Sequence, residues 1–272
     1  MSPIAAVEDG TVLHRVEDHV SWITLNRPDA GNAITPSQRD SIIDLMSEAD
    51  DTPSVRAVVI TASGSKFCTG ADLRASSDGT ETASPPTGAV MRMLATGSQR
   101  LIVSILDCQK PVIAAVNGVA AGIGAHLAFA CDLIVASDEA SFIEVFVRRG
   151  IIPDGAGAYL LPRLMGMQRA KELVLLGDRL SAVDAHGFGL VNRVVPLADL
   201  EATTTELAGR LADGPTIAMG LAKRLLNKSL DGDRDSALFQ ESMAQELVTR
   251  SDDAQEGISS FVERRATVFT GR

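Results

Sequence analysis

Two stretches of small residues could do chemistry with backbone rather than side chains: Phe67-Cys68-Thr69-Gly70-Ala71-Asp72-Leu73 and Asn117-Gly118-Val119-Ala120-Ala121-Gly122-Ile123-Gly124-Ala125. Each follows a β-branched run, Arg56 to Thr61 and Val112 to Val116, and so reads as a strand-to-helix turn. Glycines let the backbone approach a ligand closely, and N–H groups at a helix start carry positive partial charge. Such turns suit a developing oxyanion, with tight packing as the alternative reading. Three titratable side chains follow. His126 falls in the first turn of an apolar helix, where a hydrogen-bonded core histidine is an equal reading. Glu144 lies two residues before Phe146 and could approach the same pocket from the same face if that segment is extended, with a solvated or capping role the preferred reading. Asp154 stands in Pro153-Asp154-Gly155, a good turn, and could cap a helix after Gly155. His14, His19 and His186 lack metal-site spacing, and His186 is expected near a helix end. Cys68, Cys108 and Cys131 are odd in number and far apart, which reads as reduced thiols in small apolar spaces. No metal or redox cofactor is implied.

The elements that must position these residues alternate. Thr11 to Arg15 and Val20 to Leu25 read as strands. A helix follows with Thr35 as N-cap, Pro36 in its first position and Gln38 completing a capping box. Arg56 to Thr61, Val112 to Val116 and Leu133 to Ala136 read as strands buried on both faces, with a helix predicted over Val90 to Leu106. That alternation predicts a parallel sheet with crossover helices. Ala75 to Gly88, rich in Ser, Thr, Gly and Pro, reads as an insertion. After Pro196 the pattern is helical only: Leu197 to Ala212, Pro215 to Leu230, Asp233 to Thr249 and Asp252 to Val268. The chain is therefore expected to divide into a core, 1–196, and a helical C-terminal region, 197–272.

At 272 residues, 45% of them hydrophobic, the chain can bury a large core. A formal net charge of −10 argues against nucleic acid as a partner, which needs a clustered basic surface. The first ten residues carry Glu8 and Asp9 without a basic region, and the apolar tract Pro111 to Ser137 is broken by Asn117, His126 and Asp132. The expectation is a cytoplasmic protein without a membrane partner.

Six ordered motifs carry a resemblance: Phe67-Cys-Thr-Gly-Ala-Asp-Leu, Lys110-Pro-Val-Ile-Ala-Ala-Val-Asn-Gly, Ala121-Gly-Ile-Gly-Ala, Cys131-Asp-Leu-Ile-Val-Ala, Gly150-Ile-Ile-Pro-Asp-Gly-Ala-Gly and Gly177-Asp-Arg-Leu-Ser-Ala-Val-Asp-Ala. In order and spacing the chain resembles the enoyl-CoA hydratase/isomerase, or crotonase, family from about Val20 to Phe261-Val-Glu-Arg-Arg. The resemblance implies an α/β fold, a crotonase-like spiral of repeated ββα units with an all-helical C-terminal trimerisation region, and a homo-oligomer, trimer or hexamer. It implies acyl-CoA thioester substrates, with CoA as part of the substrate and no separate cofactor. Carried over, the oxyanion hole falls on the backbone N–H groups of Ala71 and Ile123. Ala71, Asp72, Leu73 and Arg74 would run along the CoA, Phe146 would contact substrate, and Phe261 and Arg264 would reach a neighbouring subunit's CoA.

The chain departs from the family's hydratase pattern at its catalytic pair. Where those hydratases carry two glutamates, this sequence has His126 and Phe146. Asp154 matches a position where several related isomerases carry an acidic residue. The implied activity is double-bond migration with Asp154 as acid/base and His126 accessory, the Asp154 pKa being raised by apolar neighbours such as Ile152 and Phe146. The alternatives are an enoyl-CoA hydratase using a His126/Asp154 set and a non-catalytic acyl-CoA-binding subunit.

Overall fold

The computed structural model describes residues 5–6, 10–73 and 86–272. Strand β1 (Ala5–Ala6) pairs antiparallel with β2 (Val12–Glu17), which forms a hairpin with β3 (Val20–Leu25). Helix α1 (Pro36–Asp51) starts at the expected capping box: Thr35 Oγ1 accepts from the Gln38 N–H at 3.2 Å, and Gln38 Oε1 accepts from the Thr35 N–H at 3.2 Å.

Three ββα units follow, and their strands part between two sheets. In order they are β4 (Ala57–Ala62), β5 (Lys66–Cys68), α2 (Ala89–Thr96) and α3 (Ser98–Leu106); then β6 (Val112–Val116), β7 (Val119–Ala121) and α4 (Ile123–Phe129); then β8 (Leu133–Ser137), β9 (Ser141–Ile143), α5 (Gly157–Met165) and α6 (Met167–Leu176). The first strand of each unit joins the large sheet, ordered β1-β2-β3-β4-β6-β8-β11; the second joins a small sheet, ordered β10-β9-β7-β5. Strand β10 (Arg179–Ser181), α7 (Ala182–Gly187) and β11 (Arg193–Val195) complete the two sheets. Helices α8 (Leu200–Ala212), α9 (Thr216–Lys228), α10 (Arg234–Val248) and α11 (Asp252–Glu263) end the chain. This is the expected α/β spiral with a helical C-terminal region. The second, small sheet was not read from the sequence, because its strands β5, β7, β9 and β10 are three residues each, too brief to show a period.

Alternation along the central strands separates two cores. Val58, Ile60, Ala114 and Val116 face α1, α3 and α4, whereas Ala57, Val59, Ile113 and Ala115 face Leu200, Leu207 and Ala208 of α8. Two helix readings are corrected. The single helix expected over Val90 to Leu106 breaks into α2 and α3 at Gly97, whose ψ of −105° leaves the helical range. A side chain there would meet the Met93 carbonyl oxygen at 2.6 Å and Arg39 at 2.8 Å, so the break is also a close contact with α1. The last helix stops at Glu263 because Arg264 turns left-handed, at φ 54°. The tail folds back, with the Asp253 carboxylate accepting from the N–H groups of Thr270 at 2.6 Å and Gly271 at 2.8 Å.

The C-terminal helices are pinned to the core by two buried cations. Lys223 donates to the carbonyls of Ile105 at 2.9 Å and Lys110 at 3.3 Å, and its Nζ lies 2.8 Å from Asp132. The Arg56 guanidinium donates to Gly214 O at 2.6 Å, Thr216 Oγ1 at 3.2 Å and Phe269 O at 3.2 Å.

Candidate active site

The two small-residue turns meet because their strands pair. Strand β5 runs parallel to β7, with Lys66 opposite Val119 and Cys68 opposite Ala120. The chain then turns at Gly70 (φ 107°) and at Gly122 (φ 53°). Missing side chains let them close: a Cβ at Gly70 would lie 3.2 Å from the Ala121 carbonyl oxygen, and one at Gly124 would lie 2.4 Å from that of Cys68.

Each turn leaves one N–H directed away from the ladder. Ile34 and Ala71 form a parallel bridge in which the Ile34 N–H donates to Gly70 O at 2.8 Å and the Asp72 N–H to Ile34 O at 2.9 Å. Because successive strand N–H groups alternate in direction, Ala71 presents its own on the other side. Ile123 is the first residue of α4, where no carbonyl of a preceding turn can accept. Two such donors on neighbouring turns can hold a carbonyl oxygen as it gains negative charge.

Beside them lies a polar cluster in an apolar wall. His126 projects from α4 and is 0% exposed; Glu144, just after β9, is 1% exposed. The His126 Nε2 lies 3.1 Å from both carboxylate oxygens of Glu144. The Phe146 ring stacks on the imidazole at a centroid distance of 5.3 Å and 15° between planes. The expectation of a solvated or capping Glu144 is therefore corrected. Residue 144 follows the last β9 residue, and pairing of β9 with β7 carries it under α4, a tertiary placement that local spacing does not encode.

Asp154 enters from the turn before α5. Gly155 (φ 51°) and Ala156 (φ 65°) are both left-handed, and a Cβ at Gly155 would collide with Ile123 Cδ1 at 2.3 Å, so this turn packs directly on the start of α4. Asp154 does not cap α5, whose N-cap is Ala156 with no side-chain cap. Its buried Oδ1 has no hydrogen-bond partner among the described residues, and neither does the buried His126 Nδ1. Burial lifts the Asp154 carboxyl above the ordinary carboxylate range; a charged His126 works against that lift and the Glu144 carboxylate adds to it. Ile152 was expected among the apolar neighbours but is 83% exposed. Ile123 and Ile102 pack at Gly155 instead.

The structure thus brings Ala71, Ile123, His126, Phe146 and Asp154 together and adds Glu144, whose sequence signal was its place two residues before Phe146 on one face of an extended segment. Asp72 holds the first turn in place: its Oδ2 lies 2.9 Å from Arg27 Nη1. Leu73 is exposed, and Arg74 lies outside the described residues, as does most of the expected 75–88 insertion. Phe261 is 85% exposed and Arg264 closes α11, so both stand on the surface of the single chain. Among the described residues no group of three His, Cys, Asp or Glu could hold a metal ion, and no helix is long and apolar enough to cross a membrane.

The chain matches, over residues 15–272, the family model described as enoyl-CoA hydratase/isomerase. It is 36% identical over 261 residues to a 1,2-epoxyphenylacetyl-CoA isomerase of Escherichia coli K12, covering 96% of this chain and 98% of that protein. It is 34% identical over 257 residues to a crotonyl-CoA hydratase of Syntrophomonas wolfei, covering 94% and 96%. An enoyl-CoA hydratase structure from Bacillus anthracis superposes with a TM-score of 0.88 at 32% identity, covering 96% of this chain and 100% of that one.

Proposed function

The chain belongs to the enoyl-CoA hydratase/isomerase family of acyl-CoA-processing enzymes, and from that premise we propose that it moves a carbon–carbon double bond along an enoyl thioester, with Asp154 as the acid/base. In this reading the Ala71 and Ile123 N–H groups hold the thioester oxygen while the substrate is a dienolate. Asp154 handles the protons at the acyl carbons, and His126 is an accessory polar group. The observation that carries the reading is the Asp154 carboxyl, unpartnered at Oδ1 on a turn packed against Ile123, while Phe146 occupies one expected hydratase carboxylate position. A carboxyl whose pKa is lifted by burial is a stronger base than an ordinary carboxylate and so better suited to taking and returning protons.

The test is Asp154→Asn. Turnover of 3-enoyl-CoA to 2-enoyl-CoA should fall by at least about a hundredfold, with thioester binding retained. Full turnover in that variant would remove the proposal. A hydratase reading rests on the two unpartnered buried atoms, Asp154 Oδ1 and His126 Nδ1, which could orient a water. Incorporation of labelled water oxygen into a 3-hydroxyacyl product would select it.

The proposed assembly is a homo-oligomer, trimer or hexamer, formed through the C-terminal region 197–272. Support comes from apolar side chains left exposed at helical spacing: Phe239, Met243 and Leu247 on α10, and Ile258, Phe261 and Val262 on α11.

A further inference from the structure

Glu144 is a buried carboxylate with one hydrogen-bonding side chain against it among the described residues, the imidazole of His126. Both oxygens lie 3.1 Å from Nε2, a geometry that suits an Nε2–H shared between the two oxygens of an ionised carboxylate. The ring is locked from its other sides. Phe146 stacks on one face, and Gly157 passes so close that a Cβ there would lie 2.2 Å from Nε2. Nδ1 is buried, has no partner, and would lie 3.6 Å from a Cβ at Gly155, the residue after Asp154. An imidazolium would leave a buried N–H at Nδ1 with no acceptor, whereas the neutral Nε2–H form leaves only a lone pair, the cheaper orphan.

We propose that Glu144 is a positioning residue: it fixes the His126 tautomer whose Nδ1 lone pair lies on the Asp154 side, and so makes His126 the proton acceptor while Asp154 is the proton donor. This rests on the isomerase reading and changes it in one respect: the first of the two proton transfers passes from Asp154 to His126, and Asp154 keeps the second. Nδ1 takes the proton from C2 of a 3-enoyl thioester, and the electron pair of the broken C–H bond enters the dienolate. The imidazolium so formed lies against the Glu144 carboxylate, which offsets its charge. Protonated Asp154 then delivers its proton to C4, where the dienolate's electron pair forms the new C–H bond and the 2-enoyl thioester results. Return of a proton from His126 to Asp154, directly or through solvent, restores the starting state. No other reactant is consumed.

Nitrogen-15 NMR of the histidine-labelled resting enzyme, with His126 assigned by comparison with His126→Asn, tests the tautomer without any substrate. The expected result is hydrogen on Nε2 and a bare Nδ1; hydrogen on Nδ1 alone would overturn the proposal. For Glu144→Gln, shown folded by circular dichroism, kcat should fall about tenfold or more while KM stays within about threefold. A kcat within twofold of the parent would overturn the positioning role. With 3-enoyl-CoA deuterated at C2, the two-group division predicts no deuterium at C4 in a single turnover, and its appearance there would show one group carrying the proton both ways. Turnover surviving Asp154→Asn sinks the isomerase reading but leaves the tautomer result standing. An inactive Asp154→Asn beside an unimpaired Glu144→Gln removes only the role given to Glu144.

Discussion

A carboxyl whose pKa is higher in the folded than in the unfolded chain makes the folded state the tighter proton binder, and Asp154 is such a group, lifted chiefly by burial. Its contribution to stability therefore declines as pH rises from the ordinary carboxylate value, about 4, through the lifted one. Asp154→Asn keeps the shape and removes the titrating group. It should melt at a higher temperature than the parent at pH 7, with the difference closing below about pH 4, in a thermal denaturation series across pH. A lower melting temperature at pH 7 would contradict this. Gly157 poses the opposite problem, since its neighbour is the imidazole itself. Gly157→Ala should push His126 out of line, lowering stability by about 1–3 kcal/mol and turnover with it, measured by urea unfolding and steady-state assay.

At the scale of elements, the site depends on how closely β5, β7 and α4 approach one another. Gly124→Ala places a methyl 2.4 Å from the Cys68 carbonyl oxygen, a backbone atom that cannot rotate away. The turns should separate, and kcat for the isomerisation should drop by about a hundredfold, more than the loss of stability alone would give. The Lys223 pin makes a different prediction: Lys223→Met strands Asp132 half-buried without its cation and should cost about 3 kcal/mol in chemical denaturation, with KM for the thioester little changed. Much of this level was legible beforehand. Val20–Leu25 and Val112–Val116 form strands with the bounds read from their β-branched runs, and the Thr35 capping box is present. These signals are local and survive in any context. The break at Gly97 and the burial of Glu144 were not legible, because each is decided by a neighbour distant in sequence: Arg39 for one, His126 for the other.

For the whole molecule, the exposed apolar faces of α10 and α11 are larger in consequence than in area. Phe239, Met243 and Leu247 recur every four residues and so share one face of α10. Sedimentation velocity should give a mass of three or six chains, and Phe239→Asp combined with Leu247→Asp should shift it towards one; a single-chain mass for the parent would end the oligomer proposal. The three cysteines have a use that follows from their burial. Burial pushes the Cys68 thiol up to about 12 and Cys108 up to about 11, so neither supplies thiolate to a reagent while the fold is closed. Cys108 borders the Lys223 pin, whereas Cys68 lies behind the paired turns. Their alkylation rates therefore form two built-in clocks, one timing the lifting of the C-terminal helices and the other the opening of the site.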